Sequence, residues 1–96
     1  AQDRIQDVRA AVAKNPKTST GSLGNLAADR DVDIRVAVAQ NQSTDLDTLE
    51  DLSGDWAWKV RERVAQNPST PEEVVRTLAE DVDQSVKKAA RVRQEG

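Results

Sequence analysis

The 96 residues carry 14 basic and 17 acidic side chains, a formal net charge of −3 that gives no broad attraction to nucleic acid or anionic lipid. With no Cys, disulfides, thiolate metal sites and a Cys nucleophile are excluded; with no His, the commonest general base and metal ligand are missing. No apolar run approaches the length of a membrane span or a signal-peptide core, so a cytoplasmic setting is the expectation.

The chain repeats itself. Val8, Ile34, Val60 and Val86 stand 26 residues apart, as do Arg9, Arg35, Arg61 and Lys87, and Asp3, Asp29, Asp55 and Asp81. Asn15, Asn41 and Asn67 keep the same spacing, and so do Leu26, Leu52 and Leu78. A fixed period of this length is the mark of stacked supersecondary units. In the first unit Val8, Ala11 and Val12 fall at i, i+3 and i+4, one face of a helix that should stop at Asn15-Pro16. The following segment starts at Thr18, the only part of a capping box kept in Thr18-Ser19-Thr20-Gly21; with Leu23 and Leu26 as its apolar face, it is a weak helix because Gly21 and Gly24 lie inside it.

In the second unit Ile34, Ala37 and Val38 repeat the apolar face, Asp29 or Asp31 serves as N-cap, and Asp33 puts negative charge in the first turn. Asn41-Gln42 ends that helix, Asn being tolerant of the left-handed conformation common there. Thr44-Asp45-Leu46-Asp47 then opens a short element faced by Leu49 and Leu52. In the third unit Arg63 takes the small apolar slot between Val60 and Val64, and Thr70-Pro71-Glu72-Glu73 reads as a capping box leading to Val75 and Leu78. Val86, Ala89 and Ala90 begin a fourth unit. The three-residue spacing of the short elements also suits a 3₁₀ turn. The pattern predicts an all-α helical-repeat solenoid of about three and a half 26-residue repeats, each holding one α-helix and one short α- or 3₁₀ helix, with no β-sheet. It forms one domain over residues 1–96 whose terminal repeats lack obvious polar caps. The chain opens partway through a repeat without Met, and is read as a segment of a longer protein.

Residues 31–41 (DVDIRVAVAQN), followed by Ser43, Thr44, Leu49 and Leu52, resemble the leucine-rich repeat variant family, and so do residues 59–81 (KVRERVAQNPSTPEEVVRTLAED). The resemblance covers nearly the whole chain. It implies a right-handed superhelix of alternating α- and 3₁₀-helices, used as a binding scaffold without catalytic residues. The family's structurally known member also carries a Cys-ligated iron–sulfur cluster. This chain has no Cys, so no cofactor or metal is carried over. HEAT-type repeats are longer than 26 residues.

The row Arg9, Arg35, Arg61 and Lys87 has two readings. Projecting along one face, it would hold carboxylates or phosphates of a partner. Paired with the recurring Asp3, Asp29, Asp55 and Asp81, or with Asp7 and Asp33, it would lock repeat to repeat instead, and the matching number of acids favours this second reading. The Asn row is read as bonding helix-end carbonyls. Trp56 and Trp58 are the only aromatic residues and the sharpest break in the period. Trp58 aligns with Val32 and is read as packing between helices; Trp56 aligns with Arg4 and Arg30 and is read as an exposed anchor. Lys87, Lys88, Arg91 and Arg93 form a basic tail, read as a solvated helix face or a complement to the helix dipole. The acids between residues 45 and 55 are read as a solvated loop and helix start. The expected function is a non-enzymatic scaffold binding a protein or peptide through Arg9, Arg35, Arg61, Lys87 and Trp56. The alternatives are a nucleic-acid-binding repeat using the Arg/Lys row, and a structural spacer.

Overall fold

The computed structural model describes residues 2–96, with side chains from residue 4 onward. Seven α-helices follow one another: α1 (Gln2–Lys14), α2 (Thr20–Leu26), α3 (Val32–Gln40), α4 (Leu46–Leu52), α5 (Trp58–Gln66), α6 (Glu72–Leu78) and α7 (Gln84–Glu95). Among the described residues there is no strand, and no helix is long and apolar enough to cross a membrane. The long helices α1, α3, α5 and α7 pack side by side in chain order, and the short helices α2, α4 and α6 lie against them. The result is elongated, 42 × 23 × 18 Å.

The short elements are α-helical, not 3₁₀ as the family resemblance implies. Their opening bonds span four residues: Leu23 N–H donates to Ser19 O, Leu49 N–H to Asp45 O, and Val75 N–H to Pro71 O. Their N-caps are Ser19, Asp45 and Pro71, one residue later than the Thr-based reading. The capping box at Thr70 does not form, because its hydroxyl donates backward to Val64 O at 2.6 Å. Thr44 does the same to Val38 O at 2.7 Å, and Thr18 to Val12 O at 2.6 Å. The last carbonyls of a helix have no internal partner, and each Thr satisfies one in the long helix before it. Asp31 caps α3 as expected, accepting the Asp33 N–H at 2.8 Å.

The core is a single file of small aliphatic side chains. Ile34, Val38, Val60, Val64, Val86 and Ala90 are all at most 1% exposed and fill the seams between long helices, while Leu23, Leu49, Val75 and Leu78 come up from the short ones. Val8 departs from its repeat equivalents, standing 58% exposed, with Ile5 at 59% and Val12 at 37%. The reason is geometric. In α3, α5 and α7 that face meets the preceding long helix, whereas α1 packs mainly on α2 and α3.

Candidate partner-binding edge

The long helices begin along one edge of the molecule, at the turns of Asp29, Asp55 and Asp81. Each of these carboxylates faces two ways. Its Oδ1 accepts the N–H two residues on, from Asp31, Ala57 and Asp83 at 2.9, 2.9 and 2.8 Å, which closes the turn before the helix. Its Oδ2 accepts the Nε–H of the Arg 20 residues earlier: Arg9 to Asp29 at 2.9 Å, Arg35 to Asp55 at 2.8 Å, Arg61 to Asp81 at 2.9 Å. Arg35 and Arg61 also reach back with Nη1, to Asp29 O at 2.8 Å and Asp55 O at 2.7 Å. Each of these two guanidinium groups thus ties two successive turns together, using the planar fork that Lys lacks.

Burial opposes ionisation of Asp29, but the Asp31 N–H and the Arg9 hydrogen bond outweigh it and hold the carboxyl below its usual range. At Asp81 burial is likewise outweighed, here by the Arg61 hydrogen bond and then the Asp83 N–H. The pairs differ in exposure. Arg35 and Asp55 side chains are 8% and 9% exposed, Arg61 and Asp81 15% and 11%, and Arg9 37% against 13% for Asp29. Three of the four basic candidates therefore spend their Nε–H on neighbouring turns, and Arg35 and Arg61 have little surface left to present. Lys87, half-buried, forms no ion pair among the described residues, although its charge adds to the lowering at Asp81.

Trp56 follows Asp55 directly in the same turn and is 82% exposed. The Arg35 guanidinium lies 5.6 Å from its ring centroid, so one pair of residues both closes the turn and backs the indole. Sequence reasoning missed its neighbour. Val82 occupies the equivalent position one repeat on and is 93% exposed, so the edge presents two apolar groups in successive turns. The 26-residue spacing already aligned them. Trp58, the first residue of α5, is 41% exposed and half on the surface, not packed in the seam as expected from Val32, with Lys59 Nζ 5.9 Å from its ring. At the start of a helix its bulk has solvent on one side.

The long helices end along the opposite edge, and there the first two links are neutral. Asn41 Nδ2 donates to Ala13 O and Asn15 O at 2.8 and 2.9 Å, and Asn67 Nδ2 to Ala39 O and Asn41 O at 2.7 and 2.9 Å. Their Oδ1 atoms accept the Ser43 and Ser69 N–H groups. Ser43 and Ser69 hydroxyls in turn donate to Pro16 O and Gln42 O. Neither Asn is left-handed: φ is −76° and −74°, so it is the side chain, not backbone tolerance, that the position uses. Arg93 lies 26 residues after Asn67 and takes over its part, with Nη1 2.6 Å from Asn67 O and Nη2 3.0 Å from Thr70 O. Arg91 donates to Ala79 O at 3.2 Å. Arg91 and Arg93 of the basic tail are thus spent on carbonyls at the ends of α5 and α6.

Arg63 sits in the slot that Ala11, Ala37 and Ala89 fill elsewhere. Its Nε is covered and has no hydrogen-bond acceptor, the nearest carboxylate oxygen, on Glu62, being 3.9 Å away. In the acidic stretch Asp45 accepts the Thr48 N–H at 3.0 Å, a bond that lowers its pKa, and Asp55 is held by Arg35. Among the described residues no group of three or more acids is placed to hold a metal ion.

No curated protein and no solved structure matches the chain. A family model described as Leucine rich repeat variant matches residues 58–83, one full period from the first residue of α5 to the N-cap of α7. The resemblance read from residues 59–81 is therefore borne out, and the chain carries a repeat of the leucine rich repeat variant family.

Proposed function

We propose that this chain is a non-enzymatic helical-repeat solenoid that binds a protein or peptide along the edge where its long helices begin. The observation that carries the reading is Trp56, an indole 82% exposed and backed by a paired guanidinium. An indole held in place loses little side-chain freedom on binding and hides a large apolar area, which is why Trp so often dominates interface energy. Val82, one repeat further on, extends the apolar contact. Arg35 and Arg61 serve as the rigid backing, while Lys87 and the more exposed Arg9 supply charge at the two ends of the row. The Asp partners neutralise most of that row, which argues for a protein or peptide over nucleic acid. The scaffold character of the matched family supports the non-enzymatic reading.

Affinity capture from the native cell with the unmodified chain and with Trp56→Ala tests this. A partner retained by the first and lost by the second, at unchanged melting temperature, is the expected result. Equal capture by both removes Trp56 from the site.

A further inference from the structure

The turns that open α3, α5 and α7 share one backbone but not one charge. Their N-cap residues Asp31, Ala57 and Asp83 have φ of −82°, −86° and −85° and ψ of 118°, 121° and 130°. Asp31 Oδ1 accepts the Asp33 N–H at 2.8 Å, and Asp83 Oδ1 accepts the Ser85 N–H at 2.8 Å. At the equivalent place in α5 no side chain caps the helix, because Ala57 has nothing to accept with. Two residues on, Lys59 stands where α3 has Asp33 and α7 has Ser85. Alanine is a poor N-cap and a cation in the first turn opposes the helix dipole, so both residues break a local rule. Asp29, Asp55 and Asp81 are each paired with an Arg, so the next four residues set the charge that each turn presents. The first turn presents Asp31 and Asp33 against Arg30, the third presents Asp83, and the middle one presents Lys59 alone. Lys59 is exposed, forms no ion pair among the described residues, and lies with Nζ 5.9 Å from the Trp58 ring. The two rule-breaking residues alternate with the two indoles, Trp56 at 82% and Trp58 at 41% exposure. Local rules are given up where another demand outweighs them, and here that demand coincides with the exposed aromatic surface.

We infer that the partner bound at Trp56 is an acidic peptide segment, one that sets an apolar side chain against the indoles and an Asp or Glu carboxylate against Lys59. This rests on the Trp56 reading above and names the chemistry of its partner. The carboxylate would accept from Lys59 Nζ and from the Lys59 backbone N–H, the donor whose counterparts in α3 and α7 already go to Asp31 and Asp83. Charge complementarity decides the sign: Lys59 attracts an acid and repels a basic segment, and Arg35 behind Trp56 adds no negative charge for a cation to seek. The acids of the neighbouring turns, about one helix spacing away, limit the match to one or two carboxylates. A polyanion such as nucleic acid would have to run past Asp31, Asp33 and Asp83.

The test selects a random dodecapeptide phage library on the chain and, in parallel, on Trp56→Ala. The expected pool needs Trp56 and is enriched in Asp and Glu beside apolar residues. Its tightest peptide is then synthesised and titrated against Ala57→Asp and Lys59→Asp, which install the residues that α3 carries at these places. Each should weaken binding about tenfold at low salt. Ala57→Asp should at the same time raise the melting temperature by about 4 °C, since it supplies the cap, so the loss of binding is not a loss of fold. A Trp56-dependent pool that is neutral or basic, or binding unchanged in both variants, overturns the acidic partner and leaves the Trp56 site standing. A pool indifferent to Trp56, or no enrichment at all, overturns the site and the inference together. Binding of a single-stranded DNA oligonucleotide that Trp56→Ala abolishes would give the surface to nucleic acid and overturn both as well.

Discussion

Where the long helices begin, charged side chains join one repeat to the next: Asp29, Asp55 and Asp81 against Arg9, Arg35 and Arg61. Where the helices end, Asn41 and Asn67 do the same job with neutral amides that donate to backbone carbonyls. The two edges show how stacking can be specified by two unrelated chemistries at one spacing. They also differ in what they leave over. The neutral edge spends its polar groups on the stack, and Asn41 and Asn67 are 6% and 2% exposed. The charged edge needs only the Asp and Arg at fixed positions, so the residue after each Asp is free to vary, as Arg30, Trp56 and Val82 do. The charged edge therefore leaves exposed positions free to vary, and the Asn positions of the other edge do not.

The comparison can be broken most sharply at Arg35. Arg35→Ala strands a carboxylate 9% exposed and releases the Asp29 carbonyl, and should cost about 3 kcal/mol in urea unfolding. Arg9→Ala, at the solvated end of the same row, should cost less than about 1 kcal/mol. Equal losses at the two positions would mean that burial does not set the strength of these pairs. On the neutral edge Asn67→Ala removes two donors and one acceptor at a buried site and should cost about 2 kcal/mol by the same measurement. A loss near zero would show that water replaces the amide.

Acid distinguishes the edges next. The carboxyls of Asp29 and Asp81 are lowered in the folded state, so their contribution is complete above the unfolded value of about 4 and disappears as pH falls through the folded value. Melting temperature should therefore be insensitive to these groups between about pH 7 and 5 and drop below about pH 4. Arg61→Ala should flatten that drop, and Asn67→Ala should leave its slope unchanged, since an amide does not titrate. An identical acid profile for both variants would separate the Arg–Asp pairs from acid stability. The smallest effect is expected at Arg63, away from both edges. Arg63→Ala restores the residue of the other repeats and relieves a covered Nε without an acceptor, and should raise stability by about 0.5 kcal/mol in urea titration. A measurable loss would mean that the aliphatic part of Arg63 contributes to the packing between α3 and α5.

Much of this was legible in the residues. The i, i+3, i+4 pattern placed α3, α5 and α7, and the equal numbers of Arg and Asp per repeat pointed to internal pairing. The alignment of Val82 with Trp56 was legible in the 26-residue spacing, but the exposure of both side chains was not. The equivalence of Arg93 with Asn67 escaped reading, because a change of residue type hid it. The start of each short helix was misplaced by one residue, because a Thr at a helix start and a Thr closing the end of the previous helix look alike in sequence.

The sequence by itself determined the period, the helices and which residue types recur, because the spacing of apolar side chains is local and the same in every copy. Only the tertiary structure decided which way a recurring group is spent. A guanidinium binds a partner or a neighbouring turn according to what lies within about 3 Å of it, and Val8 is surface while Val60 is core according to what packs beside it. Those distances depend on the stacking of units far apart in the chain, which no single repeat contains.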